Sequence, residues 1–64
     1  MSKIRRGNYI FVHWIGDHSP RHVHVYKEGQ LVVKWDLERG IAMKGQAPRR
    51  VLKLIDELEQ EGRL

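Results

Sequence analysis

Sixty-four residues make one small domain, and a chain of this length buries only about 60% of its unfolded surface. It holds no cysteine, which excludes a disulfide framework and a thiolate metal site. Twelve Lys and Arg against eight Asp and Glu leave a net charge of +4, which suits an anionic partner without demanding one. The longest apolar run, YIFVHWI, has seven residues and includes a histidine, far short of the ~20 that span a bilayer. A soluble, cytoplasmic protein is therefore expected.

The apolar spacing changes once along the chain. From Tyr9 to Met43 apolar residues recur every second position, and from Ala47 every third or fourth. Strands are expected at about residues 9–15 (YIFVHWI), 22–27 (HVHVYK), 31–37 (LVVKWDL) and 41–44 (IAMK). Turn residues separate them in GDHSPR, EGQ and ERG. APRRVLKLIDELEQEG predicts a helix over about 47–61, with Pro48 in its first turn and Gly62 near its stop. Ala47, Val51, Leu54, Ile55 and Leu58 fall on one helical stripe. The fold class is α+β: a three- to four-stranded antiparallel meander with one helix packed on one face, which leaves the other face open.

Alternation assigns side chains to the two faces. Ile10, Val12 and Trp14 are expected to face the helix, with Phe11, His13 and Ile15 outside. Val23 and Val25 point inward, sending His22, His24 and Tyr26 out. Leu31, Val33, Trp35 and Leu37 point inward, leaving Val32, Lys34 and Asp36 outside. Keeping these apolar sets together sets the registers, because a slip of one residue inverts a strand. Val25 falls opposite Val33, Asp36 opposite His22, Lys34 opposite His24, and His13 on the far side of His24. The 28–30 connection then becomes a three-residue hairpin with Gly29 in the left-handed region.

Three histidines between residues 18 and 24 support three chemistries. In one, His22, His24 and Asp36 form a two-histidine, one-carboxylate set for a divalent metal such as zinc or manganese, with His18 closing over as a fourth ligand. In another, His22 and His24 act as acid and base, Asp36 orients His22, and Lys34 stabilises charge on phosphorus. That set suffices for metal-independent RNA cleavage through the 2′-hydroxyl. Ser19 is a weaker nucleophile, because nothing fixes a base beside it. In the third, histidine and tyrosine rest on a half-exposed strand or anchor a protein interface, including one between two copies of the chain.

The helix carries its charges against its macrodipole. Arg49, Arg50 and Lys53 crowd the positive end, and Asp56, Glu57, Glu59 and Glu61 the negative one. Such a basic N-terminus attracts anions, and Lys3, Arg5, Arg6 and Arg21 extend it in this reading. An acidic helix end of a second chain is an alternative occupant, and a solvated charge run with no ligand is the plainest reading.

HSPRHVHV, VVKWDLERG and the APRRVLKLIDEL helix together resemble a family of small prokaryotic domains of unknown function, family 4160. The family pattern is His-x-Pro-Pro-His-x-His, then Gly-x-x-Pro-x-Arg before the terminal helix. His18, Pro20, His22 and His24 match the first part, with Arg21 replacing the second proline; Gly45, Pro48 and Arg50 match the second. The resemblance implies a prokaryotic cytoplasmic protein, with a small cognate protein partner in a toxin–antitoxin-like gene pair. It implies no activity or cofactor.

The expectation is thus a module that binds RNA or a partner protein through a His-rich open face. His22, His24 and Asp36 stand at its centre, and Lys34, Arg49, Arg50 and Arg21 serve as anion-binding groups. A non-enzymatic metal-binding or interaction module is the alternative.

Overall fold

Among the described residues, five antiparallel strands follow one another across the sheet in chain order, and one helix packs against one side of them. The computed structural model describes residues 2–13 and 21–64. The strands are β1 (Ser2–Arg6), β2 (Tyr9–His13), β3 (His22–Lys27), β4 (Gln30–Asp36) and β5 (Ile41–Gly45), and α1 spans Arg49–Gln60. The sheet exceeds the expected three to four strands because of β1. Its sequence, SKIRR, holds one apolar residue, Ile4, so it carries no alternation to detect. Pairing with β2 and the packing of Ile4 on the core make it a strand.

Each connection has a local cause. Glu28 and Gly29 both adopt positive φ, 52° and 77°, and join Lys27 to Gln30 in a two-residue hairpin. This loop is one residue shorter than the three-residue connection expected. The odd residue is taken up instead as a register shift beside Val25 and Tyr26. Beyond this bulge Leu31 turns outward, against expectation, while Val32 packs against the core. Gly45 has φ 78°, and a Cβ there would lie 2.3 Å from the Val32 carbonyl oxygen, so β4 and β5 meet at a point only glycine fits. Pro48, with φ −59° and ψ 154°, stands at the N-cap, and the helix starts behind it. At the other end Arg63 N–H donates to the Leu58 carbonyl and Gly62 N–H to the Glu59 carbonyl, with Gly62 at φ 76°. This glycine closure satisfies carbonyls that a helix end leaves unpaired.

The core forms where one sheet face meets α1. Tyr9, Phe11, Val23, Val25 and Val33 pack against Val51, Ile55 and Leu58. Ile4, Trp35, Leu37, Ala47, Leu54 and Leu64 seal the margins. The expected helical stripe thus holds for Val51, Leu54, Ile55 and Leu58, with Leu54 at its border, whereas Ala47 packs on the core from the segment before α1. Strand β2 departs from expectation by one residue: Phe11 is fully buried, and Ile10 and Val12 lie on the opposite face. YIFV is apolar at both parities, so alternation cannot choose between them. Inward placement of Tyr9 and Phe11 buries the larger rings, whose centroids lie 6.5 Å apart. Trp14 and Ile15, also assigned to faces above, lie outside the described residues.

Candidate nucleic-acid interface on the open sheet face

The face opposite α1 is organised by β3, the central strand. Val23 and Val25 are fully buried on the helix side, so the intervening His22, His24 and Tyr26 project from the other. They form a ladder of three rings. The His22 and His24 centroids are 5.2 Å apart, edge to face, and His24 and Tyr26 stack at 6.4 Å with 14° between their planes. All three are half-buried. Among the described residues no helix or strand lies over this face.

Cross-strand partners flank the ladder. His24 pairs with Lys34, and Lys34 with Lys44 on β5, so two cations extend the His24 row. On its other side stands Val12, which pairs in turn with Lys3. His13, expected beside His24, is instead on the helix side, where its Nε2 lies 3.0 Å from the Arg63 carbonyl oxygen. This displacement follows from the one-residue shift of β2. Tyr26 pairs with Ile10 and Leu31, which form an apolar shoulder. His22 pairs with Asp36, as expected, and Asp36 with Ile41, which is 50% exposed.

Asp36 also has a structural task. Its side chain is 1% exposed, and Oδ1 accepts hydrogen bonds from the backbone N–H groups of Glu38 and Arg39, both at 2.8 Å. Arg39 Nε stands 3.8 Å from Oδ2, but Arg39 is 73% exposed, so this pair adds little. The carboxylate therefore organises the 37–40 turn from a position across from His22. Backbone donors offset the cost of burying it. The same turn ties down the start of β3: Leu37 N–H donates to the Arg21 carbonyl, and Arg21 N–H to the Glu38 carboxylate.

The anticipated basic residues do not converge. Lys34 lies on the ring face, whereas Arg49 and Arg50 lie on α1, across the sheet from it. Arg21 is exposed just before β3. Arg50 approaches the β1–β2 turn, where a Cβ on Gly7 would lie 3.5 Å from its guanidinium. Arg6, expected to join the basic helix N-terminus, reaches the other end of α1. Its guanidinium grips the Glu61 carboxylate through contacts of 2.6 and 3.0 Å. That hydrogen-bonded pairing raises the Arg6 pKa and lowers that of Glu61. Lys44 belongs beside the ring ladder but was not anticipated there; its signal was a basic residue closing an otherwise apolar IAM strand.

Among the described residues no group of three His, Cys, Asp or Glu side chains is arranged to hold a metal ion. His18, the fourth member of the metal set considered above, lies outside the described residues, as does Ser19. No described helix is long and apolar enough to cross a membrane.

No curated protein and no solved structure matches the chain. The profile of the family described as Domain of unknown function (DUF4160) matches residues 7–63, from the β1–β2 turn through α1. The histidine strand, the Asp36 turn and the helix all fall within that match, and the protein belongs to the DUF4160 family.

Proposed function

We propose that this protein binds single-stranded RNA on its open sheet face, as one member of a toxin–antitoxin-like pair. The observation that carries this reading is the ladder His22–His24–Tyr26 on the central strand, with Lys34 and Lys44 in line beside it. Rings on a sheet give unpaired bases a stacking surface, and neighbouring cations attract the phosphates that join them. A duplex presents no free base faces and gains nothing from the ladder. The pairing with a protein partner rests on the family resemblance.

Fluorescence anisotropy with a labelled twelve-nucleotide RNA tests the reading at about 50 mM salt. Single strands are expected to bind and the matching duplex to bind at least tenfold more weakly. Equal affinity for both would reduce the interaction to charge alone. In the enzymatic form of this reading, His22 and His24 exchange protons with the 2′-hydroxyl and the 5′-oxygen of the cleaved linkage, and Asp36 orients His22. Product ends carrying 2′,3′-cyclic phosphate would establish that form; intact RNA after long incubation would confine the site to binding.

A further inference from the structure

Strand β1 forms one edge of the sheet and is paired on one side, with β2. All five of its residues pair in unbroken register, so the backbone on its outer side is equally regular. Among the described residues no hydrogen bond reaches that outer side. A groove of about 400 Å³ runs along it, lined by Ser2, Lys3, Ile4, Arg5 and Arg63. Three of these five residues are cationic and none is acidic, while Glu61 beside the groove stands 3.9 Å from Arg63 Nε and is itself held by Arg6. Arg63 is fixed there by its neighbours: its carbonyl meets His13, and Leu64 packs on the core.

The opposite edge is built differently. On β5 the register shifts beside Lys34 and Trp35, and Ile41 and Met43 are exposed apolar side chains. A bulge of this kind blunts an edge against further pairing. The β1 edge lacks that protection and carries positive charge instead.

We propose that the outer edge of β1 receives an extended acidic segment of a partner protein as a sixth strand. Backbone hydrogen bonds supply the attachment, as in other cases of strand addition. Lys3 and Arg5, two residues apart on one face, meet acidic side chains at alternate positions of the incoming segment, and Arg63 meets a third at the groove wall. The charge also selects the partner. Two copies of this chain meeting edge to edge would set Lys3 and Arg5 against the same residues, so self-pairing is disfavoured. A nucleic acid would satisfy the cations but has few donors for the edge carbonyls. Lys3 and Arg5 project onto the same face as the ring ladder, Lys3 in the His24 row across Val12. The edge backbone that receives the segment takes no part in the ladder, however, so this inference stands whether or not the ladder binds RNA.

The test uses the full chain, labelled with ¹⁵N, and the capped peptide Thr-Val-Glu-Val-Glu-Val-Thr, with its lysine counterpart as control. Saturable shifts are expected at residues 2–6 and 63, with slower amide exchange along β1, and the lysine peptide is expected to produce none. Reversing the charges in a Lys3→Glu, Arg5→Glu variant is expected to weaken the acidic peptide at least tenfold and to admit the lysine peptide. Four results would overturn the proposal: no saturable binding of the acidic peptide, shifts centred away from β1, unchanged affinity in the reversed variant, or displacement of the peptide from β1 by a single-stranded oligonucleotide in a Tyr26→Ala, Lys34→Gln, Lys44→Gln variant, whose ladder no longer attracts RNA.

Discussion

On the helix side of the sheet, Phe11, Val23, Val25 and Val33 have no exposed surface, while His22, His24, Tyr26 and Lys34 on the other side of the same strands keep part of theirs. The helix-covered face is apolar at its centre, with His13 and Arg6 at its margin, and the other mixes rings, lysines and a few aliphatic groups. A chain of 64 residues has stability of only about 3–10 kcal/mol to distribute. The helix-covered face supplies most of it, which leaves the open face free to carry side chains chosen for contact with a ligand. Asp36 is the exception that joins the two: by position it belongs to the ring face, yet it is buried and holds a turn.

Substitutions separate these roles. Phe11→Ala removes the largest fully buried side chain and is expected to cost about 3–5 kcal/mol, enough to unfold much of the population in chemical denaturation. A Phe11→Ala protein of near-native stability would show that the core has been misplaced. Asp36→Ala strips the 37–40 turn of an acceptor for two N–H groups and is expected to cost about 1.5–3 kcal/mol. If Asp36→Ala leaves the denaturation midpoint unchanged, the carboxylate belongs to the ligand site alone.

Tyr26→Ala is expected to lower single-stranded RNA affinity by about 1–3 kcal/mol, while costing less stability than Phe11→Ala. The ladder has no stacking role if affinity survives that change. Replacing Lys34 and Lys44 together by glutamine is expected to flatten the salt dependence of RNA binding by about 1.4 in slope, from roughly 0.7 per phosphate contact. The smallest effect belongs to the Arg6–Glu61 pair. The Glu61 pKa is lowered in the fold by its bond to Arg6, so its stabilising contribution is present above the ordinary carboxylate range and fades as pH falls through the lowered value. Glu61→Gln is therefore expected to be less stable than the natural chain at pH 7 and to match it in strong acid. A gap that widens in acid would reverse that assignment.

Much of the scaffold could be read from the sequence because its apolar pattern is one-sided. HVHVYK alternates cleanly, so β3 and its ring face were legible, as were the pairings of His22 with Asp36 and His24 with Lys34. The helix was equally plain from Val51, Ile55 and Leu58. Legibility failed where that signal was weak or doubled. SKIRR has one apolar residue and forms a strand by pairing, while YIFV is apolar at both parities and settles its face only when Phe11 finds the helix. The two-residue hairpin is a third instance. A loop of two or three residues brings Val25 opposite Val33 equally well, provided a bulge absorbs the difference. The separation of Arg49 and Arg50 from Lys34 was not legible either, because charge patterning along a chain does not say which side of a sheet its helix will cover.

Which face meets RNA decides the function proposed for this fold. Titrating the ¹⁵N-labelled protein with a twelve-nucleotide single-stranded RNA, and following backbone and histidine ring signals, tests that directly. Saturable shifts are expected at His22, His24, Tyr26, Lys34 and Lys44, with α1 undisturbed. Shifts confined to Arg49, Arg50 and Lys53, or none on the ring ladder, would contradict it.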